Sequence, residues 1–216
     1  MQLFLVRHGE TESNKQKRYQ GWMESPLSKQ GLKQAEKAGL FLGGKNIDGV
    51  FCSDLKRAIH TARVIGSFCG LEPEATPLLR EIHFGRWEGL TYEEIEAGWG
   101  DQIKRWFDDP FTRSAPEGET IEQVCERMLA FLNELPLKRP DCNRVIVVSH
   151  GGSIRALLQH FLNLNRDSFW NLKVENASIS LVHWEKVHNR VIYYNRVDHL
   201  DEDLDTKAKE VRPDGL

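Results

Sequence analysis

The sequence predicts an α/β fold built on a parallel, doubly wound sheet, and three observations carry that expectation. Three short apolar runs, Gln2 to Val6, D-G-V-F-C-S (48–53) and N-R-V-I-V-V-S-H (143–150), read as strands, and each is followed by a segment of helical spacing. The runs end on polar groups: Arg7 and His8 after the first, Ser53 in the second, His150 in the third. In open α/β sheets the carboxyl ends of the strands share one edge, and ligands bind there.

The elements follow in order. Gln2 to Val6 is apolar and β-branched, and Gly9 lets the backbone turn tightly behind it. After a polar loop, Leu32, Ala35, Ala38, Gly39 and Leu42 recur at helical spacing behind Ser28 as N-cap, which predicts a helix over 28–42. The strand at 48–53 leads into L-K-R-A-I-H-T-A-R-V-I-G-S-F (55–68), a second helix. Residues 73–119 read as a helical insertion over the sheet, because the helical patterns at 91–98 and 101–108 are broken by Gly98, Gly100, Pro110, Pro116 and Gly118. A helix over Ile121 to Leu135, capped by Thr120, precedes the strand at 143–150 and the helix at 151–162. A-S-I-S-L-V-H-W (177–184) and R-V-I-Y-Y-N (190–195) alternate as strands of a closing hairpin, joined by a loop with His188 and Asn189. The charged stretch 201–216 is expected to be a flexible tail. Residues 1–200 then form one domain, as befits 216 residues of which 40% are apolar.

Charge and composition exclude several classes. Lys plus Arg number 29 and Asp plus Glu 32, a net charge of -3, so nothing in the bulk charge points to nucleic acid or an anionic membrane. The four cysteines form no C-x-x-C pair, the first residues lack signal-peptide order, and no apolar run reaches the ~18 residues of a membrane span. A reduced cytoplasm is the expected compartment, with the cysteines serving as small core hydrophobes.

Strand-end residues far apart in sequence would therefore converge: Arg7, His8, Ser53, Arg57 one helical turn further on, and His150 before Gly151 and Gly152. Two arginines, two histidines and a helix N-terminus suit a tetrahedral dianion, because guanidinium forks and backbone N–H groups match phosphate oxygens. An imidazole can attack phosphorus through one nitrogen while a carbonyl fixes the other as N–H, and His8 suits that role. His150 is better placed to donate to the phosphoryl oxygens as charge develops on them. A proton donor for the leaving oxygen comes from L-R-E-I-H-F-G-R-W-E-G (79–89), where the chemistry alone leaves Glu81 and Glu88 equally eligible. Plain alternatives exist for each: an Arg57 pair with Asp54, a Glu81 pair with Arg80 or Arg86, and core packing for Trp22, Trp87, Trp99 and Trp106. His60, His83, His160, His183, His188 and His199 read as polar groups at the edge of a core.

Five ordered blocks, L-V-R-H-G-E-T-E-S-N, Y-Q-G-W-M-E-S-P-L-S, S-D-L-K-R-A-I-H-T-A, L-R-E-I-H-F-G-R-W-E-G and V-V-S-H-G-G, resemble the histidine phosphatase superfamily over about residues 1–200. The resemblance implies a phosphoglycerate mutase-like α/β fold: three layers, with a mostly parallel central sheet flanked by helices. It implies His8 as the phosphorylated nucleophile, Arg7, Arg57 and His150 as the phosphate clamp, and Glu81 in preference to Glu88 as general acid and base. Asn14, Gln20 and Gly21 would face the phosphoryl group or the substrate loop, and Gly151 would offer its N–H. No metal and no cofactor are implied.

Within that superfamily the sequence favours hydrolysis, by a histidine acid-type phosphatase, over a cofactor-dependent phosphoglycerate mutase. Residues 90–118 are short and carry Glu93, Glu94, Glu96, Asp101 and Asp108, where a mutase resembling this chain would place basic residues. The 79–95 block, V-E-N-A-S-I-S and D-H-L look most similar to α-ribazole phosphatases of cobalamin biosynthesis, although broad-specificity relatives share most of these residues. The expected partner is a small phosphorylated metabolite, with neither nucleic acid nor membrane, bound by a monomer or homodimer. Two other classes are weaker. A nucleotide-binding module lacks both G-x-G-x-x-G and a Walker motif, and a catalytically silent phospho-ligand-binding protein would lack the nucleophile or the acid.

Overall fold

The computed structural model describes residues 1–185 and 189–201. Strand β1 (Gln2–Arg7) buries Leu3, Phe4, Leu5 and Val6, a run too apolar to face water on either side. It is followed by the single-turn α1 (Glu12–Lys15), α2 (Lys29–Gly43), β2 (Gly49–Ser53), α3 (Lys56–Cys69) and β3 (Glu74–Thr76). Next come α4 (Tyr92–Asp108), α5 (Ile121–Lys138), β4 (Arg144–Ser149), α6 (Gly151–Leu162), β5 (Ile179–His183) and β6 (Arg190–Arg196).

The six strands form one sheet in the order β3-β2-β4-β1-β5-β6. The first four in that order run parallel, and β5 and β6 are antiparallel to their neighbours. Period-two alternation sorts the central side chains onto two faces. Leu3, Leu5, Val145 and Val147 pack under α5 and α6, whereas Phe4, Val6, Ile146 and Val148 pack under α2 and α3. The result is the expected three-layer, mostly parallel sheet. Among the described residues no helix is long and apolar enough to cross a membrane.

The expected caps are present: Ser28 accepts from the Gly31 N–H, and Thr120 forms a capping box with Gln123. Several details differ from the reading of the sequence. The polar loop after β1 contains α1, closed by a box between Thr11 and Asn14. The two helical patterns of the insertion run together as α4, with a kink at Trp99 (φ -139°, ψ 34°) between Gly98 and Gly100. Helix α5 continues through Pro136 to Lys138, past the expected end at Leu135. Strand β3 is an addition, three residues at the sheet edge. His188 and the stretch 202–216 lie outside the described residues.

The insertion has its own small core of Trp87, Ile95, Ile103, Trp106 and Ala115. Trp87 and Trp106 are thus packing residues. All four cysteines are free thiols, with Cys52 and Cys142 buried and Cys69 and Cys125 half-buried.

Candidate active site

Register brings the two strand-end histidines together. Val6 pairs with Val148 and Arg7 with Ser149, so the next residues, His8 and His150, leave the sheet side by side. The His8 N–H donates to the Ser149 carbonyl at 2.9 Å, and the imidazole rings stand edge to face with centroids 5.1 Å apart. His8 is 2% exposed and His150 wholly buried.

The turn fixes the chemistry of the His8 ring. Its Nδ1 lies 2.7 Å from the Gly9 carbonyl, which can only accept, so Nδ1 carries the proton and the lone pair of the neutral ring sits on Nε2. Burial holds the pKa of His8 well below 6.5, and the positive charges of Arg57 and Arg7 push the same way. His150 is held well below 6.5 by burial first, then by Arg57 and by His8. Neither ring nitrogen of His150 has a hydrogen-bond partner, although both are buried. A buried donor without an acceptor is costly, and it marks a place where a ligand atom would be welcome.

Two guanidinium groups close on the histidines. Arg7 donates through Nη1 to the Val174 carbonyl at 2.7 Å, and burial lowers its pKa to about 10. Arg57, 1% exposed, donates through Nη1 to Met23 O (2.9 Å) and through Nη2 to Gly21 O (2.6 Å). The Nε of each arginine is buried without a partner. Each fork is thus pinned by backbone carbonyls at its tip and keeps free donors for an anion. The ordinary alternative for Arg57 is not realised, because Asp54 pairs in bidentate fashion with Arg80 (2.7 and 2.6 Å).

Glu81 reaches the same place from the loop after β3. Its carboxylate accepts from the N–H groups of Ile82 (2.9 Å), Gly152 (3.1 Å) and Ser153 (3.1 Å), the latter two at the start of α6. The glycine pair makes this approach possible. A Cβ on Gly152 would lie 2.7 Å from Glu81 Oε1, and one on Gly151 would lie 3.2 Å from Arg7 Nε. The Glu81 carbonyl is held by Arg127 Nη2 and Trp22 Nε1, both at 2.8 Å. Arg86 pairs with Glu117, so Glu81 has neither of the ion pairs that its neighbours in sequence suggested. Glu88 lies outside the cavity, with its carboxylate on the backbone of residues 22 and 84.

Arg7, His8, Asn14, Gln20, Gly21, Arg57 and Glu81 line one open cavity of about 240 Å³, with His150 and Gly151 directly behind His8 and Arg7. Asn14 accepts from Thr11 and Asn176, and Gln20 accepts from Thr11 Oγ1 at 2.9 Å. Sequence reading missed the rim, formed by Lys17, Arg18, Tyr19 and Phe84. It also missed Arg127, Thr61, whose Oγ1 accepts from the Gly9 N–H (3.1 Å), and Asn176, which donates to the His8 carbonyl (3.1 Å). Asn176 stands inside V-E-N-A-S-I-S (174–180), whereas Arg127 gives no signal among the polar residues of α5. Among the described residues no three His, Cys, Asp or Glu side chains are grouped as metal ligands.

A neutral imidazole aimed into a cationic cavity at a switch in strand order defines a phosphoryl-handling α/β protein. Residues 3–197 match the family described as "Histidine phosphatase superfamily (branch 1)", and the chain belongs to that superfamily. It is 34% identical over 202 residues to "Phosphoserine phosphatase 1" of Hydrogenobacter thermophilus, covering 94% of this chain and 95% of that one. It is 31% identical to the "Adenosylcobalamin/alpha-ribazole phosphatase" of Salmonella typhimurium (84% and 90% covered) and 35% identical to a "Probable phosphoglycerate mutase" of Cronobacter sakazakii (86% of each). Among solved structures, a mycobacterial glucosyl-3-phosphoglycerate phosphatase in complex with VO3 superposes with a TM-score of 0.83 at 32% identity, covering 91% of this chain and 99% of that one.

Proposed function

We infer that this protein hydrolyses small phosphomonoesters through a phosphohistidine on His8. One observation carries the reading: the His8 ring, neutral and with Nε2 as its lone-pair nitrogen, opens on a cavity whose cations are Arg7 and Arg57. The lone pair of Nε2 attacks phosphorus, the bond from phosphorus to the ester oxygen breaks, and Glu81 hands that oxygen a proton. Water then gives a proton to Glu81 and attacks phosphorus, the N–P bond breaks, and phosphate leaves with the His8 lone pair restored. Arg7, Arg57, His150 and the Gly151 N–H stabilise the equatorial oxygens, while Asn14, Gln20 and Gly21 shape the floor. Two imidazoles kept neutral below pH 6.5 keep the nucleophile available in mild acid, which supports the acid-type assignment.

Hydrolysis is favoured over mutase chemistry by the rim. Arg18 donates to Glu94 at 2.9 Å, so a carboxylate of the insertion takes up a cation that could otherwise hold an acidic product for return transfer. The blocks at 79–95 and 174–180 favour α-ribazole 5'-phosphate as substrate. The test is turnover of that compound beside phosphoserine, 3-phosphoglycerate and glucosyl-3-phosphoglycerate, with rapid quench for acid-labile, alkali-stable phosphate on the protein. Full activity in His8→Ala with no trapped label would overturn the mechanism. Dominant isomerisation of 3-phosphoglycerate would favour the mutase, and binding without turnover a silent phospho-ligand protein.

A further inference from the structure

Glu88, the carboxylate that residue chemistry alone could not separate from Glu81, has a place of its own. It is largely buried, and its Oε1 accepts from the backbone N–H groups of Trp22 (2.8 Å) and Phe84 (3.2 Å). It therefore ties the segment that carries Gly21 to the segment that carries Glu81. On the other side of the same tie, Arg57 donates to the carbonyls of Gly21 and Met23, the two residues that bracket Trp22. The turn is held from its N–H side by Glu88 and from its C=O side by Arg57. Gly21 has a left-handed backbone (φ 52°), and a Cβ there would fall 2.0 Å from Glu88 Oε1, so the turn has no slack at this point. The Trp22 ring lies against the Arg80 guanidinium (4.5 Å) and the His83 imidazole (4.4 Å), and its Nε1 donates to the Glu81 carbonyl.

Resting on the phosphomonoesterase reading above, we propose that Glu88 is a positioning residue: by fixing the Gly21 turn it aims the Arg57 guanidinium at the phosphoryl group. It touches no reacting atom. Its charge, which His83 Nε2 faces at 3.7 Å, is the smaller part of that role, because both hydrogen bonds fall on an oxygen that glutamine also offers. Loss of the acceptor frees the Trp22 and Phe84 N–H groups and lets the carbonyl anchors of Arg57 drift. A guanidinium misplaced by a fraction of an ångström loses much of its stabilisation of the transition state.

The experiment compares Glu88→Ala, Glu88→Gln, Arg57→Ala and the Glu88→Ala/Arg57→Ala double variant, each with p-nitrophenyl phosphate and with an alkyl phosphate. Glu88→Ala should lose about 10- to 100-fold in kcat/KM, on the scale of leaving one or two part-buried N–H donors without an acceptor, and equally for both substrates. Glu88→Gln should recover to within about threefold, since it keeps the acceptor. Once Arg57 is gone, Glu88→Ala should cost little more, because the two act as one unit. Additive losses in the double variant would overturn the proposal, as would a Glu88→Ala enzyme of full activity. A Glu88→Gln enzyme impaired mainly on the alkyl phosphate would also overturn it, by making Glu88 an acid, and this last result needs no alanine variant to fold. His8→Ala runs as the control. If it retains activity the phosphohistidine reading fails, whereas an inactive His8→Ala beside an unaffected Glu88→Ala rejects the positioning role alone.

Discussion

Lowering the pH from 7.5 to 5.5 should destabilise the protein through the buried rings of His8 and His150, and the size of the effect follows from their titration. In the unfolded chain each imidazole titrates near 6.5, whereas in the folded protein both are held well below that value by burial and by the arginines. Below pH 6.5 the unfolded state therefore binds protons that the folded state refuses, and stability falls as the pH falls. The contribution is fully present above pH 6.5 and is lost progressively toward the folded pKa values. Across pH 7.5 to 5.5 an unfolded histidine that gains its proton while its folded counterpart stays neutral costs about 1.4 kcal/mol, and the pair about 2.7 kcal/mol. Both side chains are at most 2% exposed, so solvent does not screen the effect.

Other groups titrate in the same window, so the assay is a difference of differences. Urea unfolding at both pH values is measured for the wild type, His8→Asn and His150→Asn, and only the change between pH values is compared. Each asparagine variant should lose up to about 1.4 kcal/mol of the wild-type pH dependence, whatever its own stability. A variant whose pH dependence equals that of the wild type would show that the replaced ring is already protonated in the folded protein at pH 5.5. The argument that the nucleophile stays neutral in mild acid would then fail with it.

The remaining predictions concern the reaction. Arg57→Ala should lower kcat/KM at least ~10²-fold with the fold intact by circular dichroism, since it removes charge-assisted hydrogen bonds of about 1.5–3 kcal/mol each. Arg57→Lys should recover only part, because a compact ammonium lacks the planar fork that spans the Gly21 and Met23 carbonyls and still offers a bidentate face to phosphate, and full recovery would reduce Arg57 to a distant charge. In single-turnover phosphorylation Glu81→Gln should lose far more rate with an alkyl phosphate than with p-nitrophenyl phosphate, whose leaving group needs no proton, and equal losses would reject the acid role. Prolonged chelation should leave turnover unchanged, because the arginines and the start of α6 already supply positive potential, and a tenfold loss restored by Mg²⁺ or Zn²⁺ would contradict this.

What could be read from the sequence is what periodicity marks. The runs at 2–6, 48–53 and 143–150 announced themselves by apolar continuity, and His8 and His150 by standing where those runs stop. Strand β3 did not, because Glu74, Ala75 and Thr76 are largely exposed and too few to alternate. The Thr11 cap of α1 escaped notice because Asn14 stands in the third position, where glutamate or glutamine is the usual signal. Residue chemistry alone did not separate Glu81 from Glu88, which only the resemblance of the surrounding block did, since their difference lies in which backbone N–H groups each meets after the loop has folded. Arg127 was silent for the same reason. It donates to the carbonyls of residues 78, 80 and 81, and no spacing rule records a bond to a distant loop.

The pairing of β1 with β4 has a consequence for how this enzyme could break. Both strands are apolar on both faces, so sliding one along the other by a single residue would expose no polar group inside and no greasy one outside. Side-chain shape must therefore set the frame, together with end contacts such as Gln2 N–H to Asn143 O (2.7 Å) and His8 N–H to Ser149 O (2.9 Å). A one-residue slip would carry His8 to the opposite side of the sheet from His150 while keeping an apolar side chain at the central buried positions. Conservative exchanges among these valines, leucines and isoleucines are thus the place to look for a chain that folds, melts normally and does no chemistry, its two imidazoles out of step by one tooth of a zip.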